Sequence, residues 1–128
     1  MRAFSALTAE EKALFFLKLG LASTFLYAGI ASFITPSSWI GFFPHIIRTL
    51  VPEQLLLNGW SAYEIALALW LVFGRTTLAW AAAIAACTFL AIIIPNIGAF
   101  DLIFRDVGLF VAAIALGLLA QKHRKTAN

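Results

Sequence analysis

Charge is what this chain lacks most. Asp, Glu, Lys and Arg together make up 12% of its 128 residues, where a soluble domain carries about 25%. Hydrophobic residues make up 62%. A soluble fold of this size could not cover its surface with so few polar groups, and large apolar patches would face water. The chain therefore needs a bilayer as its solvent. Cysteine is scarce too: Cys87 stands alone, which excludes an internal disulfide and a CxxC redox pair. It reads as a small core residue. No glycine-rich phosphate loop, nucleophile elbow or zinc-binding helix motif occurs. A self-contained enzyme is not expected, and no catalytic residue is assigned.

What is present is a series of hydrophobic runs of bilayer length. A hydrocarbon core of roughly 30 Å takes about 20 helical residues. The chain has room for one domain, with spans predicted over 13–34, 53–74, 76–94 and 103–121. Thr35-Pro36 stops the first, because proline cannot continue a helix. The second starts near Gly59 or, in preference, just after Pro52, since proline favours a helix start. Pro95-Asn96 closes the third. The fourth begins between Asp101 and Asp106, where Asp101 could cap the free amides. The first run is too long for a cleaved leader, and Glu10 and Glu11 precede it. The expected fold is all-α: an integral membrane four-helix antiparallel bundle with a short interfacial helix in the first outer loop.

Basic residues set the orientation. With both termini cytoplasmic, Arg2, Lys12, Lys18, Arg75, Lys122, Arg124 and Lys125 lie inside, leaving Arg48 and Arg105 outside. Positive charge prefers the cytoplasmic side, so a multi-pass protein of the cell (inner) membrane with both ends inside is predicted. The net charge of +3 is then a topology and lipid signal, not a nucleic-acid footprint. His45 and His123 fall on opposite sides of the bilayer, which excludes paired haem ligation and a shared metal site.

Arg75 alone separates the second and third spans, so a tight hairpin is expected there. The connection over 37–51 differs in kind. Ser37-Ser38 can cap a short helix, and Trp39, Phe42, Phe43, Ile46, Ile47 and Leu50 follow. This composition suits a segment at the outer headgroup level; a lid over the bundle is the other reading. Gly20, Thr24, Ala28 and Ser32 form a small-residue stripe on which another helix could pack closely. The run Trp80–Ala86 invites the same. The two halves also echo one another faintly, each with a proline-ended helix followed by one with an early acid (Glu64, Asp106), in the manner of parallel repeats.

Function is sought in polar groups at hydrocarbon depth, where burial is costly. Glu64 lies eleven residues before Arg75, about 16 Å by helix rise and so close to the midplane. Tyr63 adjoins it, and Tyr27 reaches a similar depth. Arg105 and Asp106 sit in the outer part of the fourth span, either as simple helix-start residues or as partners of Glu64. Lys18 reads as a lysine snorkelling to the inner interface. Glu64 is either internal glue, paired with Arg105, or a working site for a proton, a quinone or another small ligand.

Several pieces of the chain resemble the DoxX/DoxD-like family of small four-helix membrane proteins. They are Leu19-Gly20 with Tyr27-Ala28-Gly29, the Pro36–Trp39 turn, Glu64 with Leu67–Leu71 leading to Phe73-Gly74-Arg75, and the run Phe104–Leu109. The resemblance covers nearly the whole chain. Ser32 stands where the family often has a basic residue, which removes one ion-pair partner. The resemblance implies an accessory subunit of a redox membrane system, with a quinone as the cofactor to consider. A redox protein or a second copy of the chain would be the partner beside the lipid bilayer. Tyr27, Glu64, Arg105 and Asp106 are the expected polar cluster or ligand pocket. A proton or small-solute transporter component, or a structural assembly partner, are the alternatives.

Overall fold

A computed structural model describes residues 3–127, and these are helical almost throughout, with no strand among them. The long elements are α1 (Ala9–Ile34), α3 (Glu53–Phe73), α4 (Leu78–Ile93) and α5 (Phe100–Ala127), with the short α2 (His45–Leu50) between α1 and α3. Three continuous stretches are long and apolar enough to cross a membrane: Ala9–Ile34, Glu53–Phe73 and Leu78–Lys125. The third holds both α4 and α5, joined by a 3-10 segment over Ile94–Ala99 in which Asn96 leaves the helical region. Pro95 removes one amide donor there, and the chain turns.

α1 starts four residues earlier than the hydrophobic run suggests. Thr8 accepts from the Glu11 amide while the Glu11 carboxylate accepts from the Thr8 amide, a reciprocal cap that extends the helix to Ala9. α3 begins directly after Pro52, as the second span was expected to. α5 begins at Phe100 and runs to Ala127, so Asp101 lies within its first turn and does not cap it. The Ser37-Ser38 pair makes no cap bond either. It sits in a 3-10 turn (Pro36–Ser38), followed by a second such turn (Ile40–Phe42), and Pro44 opens α2.

α1 packs along α3 and α4 along α5, so each half of the chain forms a helix pair. The two connections within these pairs share no common form. Within the first pair, a Cβ at Gly29 would lie 3.0 Å from the Ser61 carbonyl oxygen. Within the second, the position of a Gly117 Cβ is 3.6 Å from Ala82. Ala81, Ala82, Ala85 and Ala86 are all buried, so the alanine run of α4 does receive its neighbours. The turn between α3 and α4 is tight as expected. Trp70 Nε1 donates to Thr77 Oγ1 across it at 2.9 Å, and a Cβ at Gly74 would meet the Trp70 carbonyl at 2.6 Å.

Lys122 near the end of α5 pairs with Glu10 at the start of α1, which places both ends of the chain on one side of the molecule. Arg2 lies outside the described residues. At the opposite end, Asn96 Nδ2 donates to the Phe42 carbonyl at 3.1 Å and brings the two proline-marked turns together.

Two packing expectations fail. The Gly20–Thr24–Ala28–Ser32 stripe is not a continuous helix contact: Gly20 is exposed, and Thr24, Ala28 and the buried Ser32 line a cavity. Their hydroxyls are satisfied locally, Thr24 by the Gly20 carbonyl and Ser32 by that of Ala28. Gly29, one position away, makes the close approach instead. Cys87 is exposed rather than in the core. It falls on an outward stripe of α4 with Trp80, Ala83, Leu90 and Ile94.

Candidate functional site

A cavity of about 630 Å³ lies towards the proline-marked end and brings together all four polar residues singled out in the sequence: Tyr27, Glu64, Arg105 and Asp106. α1 supplies one wall with Thr24, Tyr27, Ala28 and Ser32. α3 contributes Trp60 and Glu64, one turn apart and hence on one face. α4 and α5 close the far side with Phe89, Ile92, Arg105 and Asp106. The connection after α1 forms the roof through Trp39, Phe42, Phe43, Pro44 and Ile47. That segment thus covers the bundle, while Ile46 and Leu50 remain exposed on its outer face.

The floor is aromatic. Phe25 and Phe89 pack with ring centroids 4.8 Å apart, and both are nearly fully buried. Beyond them Leu21, Leu71, Ala82 and Leu116 fill the interior towards the chain termini. The cavity is therefore closed at that end. Its exposed members include Tyr27, 71% accessible, and the Arg105 side chain, 61% accessible, together with Ser23, Ile47, Ala91 and Pro95. Tyr27 and Arg105 also line a second depression of about 500 Å³ that runs between α1 and α5 past Thr35, Ser38 and Asp101. An opening thus lies on the flank of the molecule, between α1 and α5, where the cavity and the depression share Tyr27 and Arg105.

Glu64 is 3% exposed, and its Oε2 has no hydrogen-bond partner. The indole of Trp60 is the polar group beside its carboxylate. Ser61 Oγ, one turn from Glu64 and fully buried, lacks a partner as well. Ser61 is not among the cavity's lining residues, so the orphan that faces the cavity is the Glu64 oxygen, and buried polar atoms are ordinarily satisfied. The expected Glu64–Arg105 pair is not formed. Arg105 Nε instead lies 3.9 Å from Oδ1 of its neighbour Asp106, whose own side chain is buried. Adjacent residues on a helix diverge, which accounts for the long distance.

Tyr63 does not enter the cavity. Thr88 donates to the Ile84 carbonyl, so Tyr63 must donate to Thr88 Oγ1, at 2.6 Å, and it links α3 to α4. Lys18 stays near Arg75, away from the site. Among the described residues no three His, Cys, Asp or Glu side chains converge as a metal site.

Trp60 and Phe89 were missed in the sequence. Trp60 was legible in principle as the residue four before Glu64, on its face. Phe89 carries no such signal, since it sits in an unbroken apolar run. Comparison of the chain with protein-family models, curated proteins and solved structures returns no match.

Proposed function

We propose that this chain crosses the cell membrane four times as an antiparallel bundle with both termini cytoplasmic, and serves as an accessory subunit of a redox membrane system. In this reading the flank opening admits a lipophilic molecule of the quinone class from the outer leaflet. Glu64 in its neutral form donates a hydrogen bond to a ligand carbonyl at the blind end, and Tyr27 and Arg105 guard the entrance. Electrons are handled by a partner protein. The observation that carries the reading is an aromatic-walled cavity, closed towards the termini and open on its side, with an orphaned carboxyl oxygen at depth. Its volume of about 630 Å³ falls in the range of small-molecule sites, about 300–1,000 Å³. The DoxX/DoxD-like resemblance adds the redox context.

A proton or small-solute transport role is the second reading, favoured by the unpaired Glu64 oxygen and opposed by the packed interior beneath Phe25 and Phe89. A purely structural role would call for a satisfied polar cluster.

The test is purification in mild detergent, with mass spectrometry of copurifying proteins and lipophilic molecules. A quinone and a redox partner are expected, and Glu64→Leu, which removes the donor, is expected to lose the quinone. Recovery of neither sinks the redox reading.

A further inference from the structure

The cavity has more acid than base. Glu64 and Asp106 both line it and both are buried, whereas Arg105 is the one Lys or Arg among its lining residues. Arg105 is already beside Asp106, and its guanidinium lies largely outside. Glu64 is left without a counter-charge. Burying an ionised carboxylate at this depth is costly unless a cation pairs with it.

The walls are suited to supply the rest of a cation's surroundings. Trp60 projects from the same face as Glu64, with Phe43 edge-on to its indole at a centroid distance of 5.4 Å. Trp39 and Phe42 pack together above, 5.9 Å apart. Aromatic faces carry negative charge density and attract cations within about 6 Å, most of all when water is excluded. A hydrated inorganic ion would gain little from such walls, and a bulky organic cation gains a great deal.

We infer that the cavity is a binding site for a lipophilic organic cation, an ammonium or phosphonium group with apolar substituents, whose charge is held by the Glu64 carboxylate within the aromatic walls formed by Trp39, Phe42 and Trp60. The ligand enters between Tyr27 and Arg105. This goes beyond the redox reading and does not depend on it.

The experiment uses the full chain in a non-ionic detergent with tetraphenylphosphonium as the probe, followed by tryptophan fluorescence and calorimetry. Saturable binding is expected, together with a fluorescence change from Trp39 and Trp60. Glu64→Gln weakens binding about tenfold or more, the equivalent of one lost charge-assisted contact. Trp60→Leu, which keeps the apolar bulk, weakens it several-fold. Wild-type protein also discriminates against neutral triphenylphosphine by about tenfold or more, a comparison that needs no variant to fold. Equal affinity for the neutral compound, or undiminished binding to folded Glu64→Gln, overturns the inference. Binding of a short-chain quinone without the cation refutes this inference alone. Binding of the cation without the quinone supports it and counts against the redox reading only.

Discussion

Gly29 of α1 lies directly against Ser61 of α3: a Cβ on Gly29 would sit 3.0 Å from the Ser61 carbonyl oxygen and 2.8 Å from Ile65 Cγ1. The Ser61 oxygen is backbone and cannot move aside alone. Gly29→Ala is therefore expected to cost about 1–3 kcal/mol through overpacking. It should also shift Glu64, whose Cβ is 3.4 Å from the same point. Thermal unfolding in detergent checks the first effect, and ligand binding checks the second. Gly20→Ala, with open space around it, should be neutral within about 0.5 kcal/mol.

The Tyr63–Thr88 bond at 2.6 Å links α3 to α4, away from the Trp70–Thr77 bond at the turn. Within a membrane such bonds average about 0.6 kcal/mol. A double-mutant cycle with Tyr63→Phe and Thr88→Val should return a coupling of that order. A value near zero would mean that the two hydroxyls find other partners in the bilayer.

Asn96 holds the roof of the cavity through the Phe42 carbonyl. Its second bond, to the Ile92 carbonyl, stays within its own segment. Asn96→Ala should leave the bundle folded and loosen the roof. Amides of Trp39–Phe43 are expected to exchange several-fold faster, since one hydrogen bond contributes about 1 kcal/mol. Hydrogen-exchange mass spectrometry reads this. Unchanged exchange would show that Phe43 on Trp60 is sufficient to hold the segment.

Cys87 shares an exposed face with Trp80 and Leu90. In a bilayer that face meets lipid, so Cys87→Ala should change stability by less than about 0.5 kcal/mol. As the lone thiol of the chain, Cys87 also takes a spin label without further mutation. The label should collide often with oxygen and rarely with a water-soluble nickel chelate. The opposite pattern would contradict membrane burial of α4.

Much of the architecture was legible in the sequence because it depends on local chemistry. Bilayer-length apolar runs, Pro36 and Pro95 as stops, Pro52 as a start and the Gly74-Arg75 turn all act within a few residues of themselves. The Thr8–Glu11 cap was equally local, and was available from its spacing alone. Glu64 could be placed at depth by counting residues along a helix. Its convergence with Tyr27, Arg105 and Asp106 in one cavity was expected from the resemblance and is what the structure contains.

Which face of each helix points inward was decided only by tertiary structure. Soluble helices announce their buried stripe by contrast with polar residues. Helices that are apolar all round offer no contrast, so the Gly20–Ser32 stripe looked fit to receive another helix, and Cys87 looked buried. Only the packing of α1 on α3 shows that Gly29 takes the close contact, while Thr24, Ala28 and Ser32 line the cavity. Packing likewise leaves Arg105 beside Asp106 and out of reach of Glu64. The sequence determined that a carboxyl group would lie deep in an apolar chain; the tertiary structure decided that it would face an open cavity without a counter-charge.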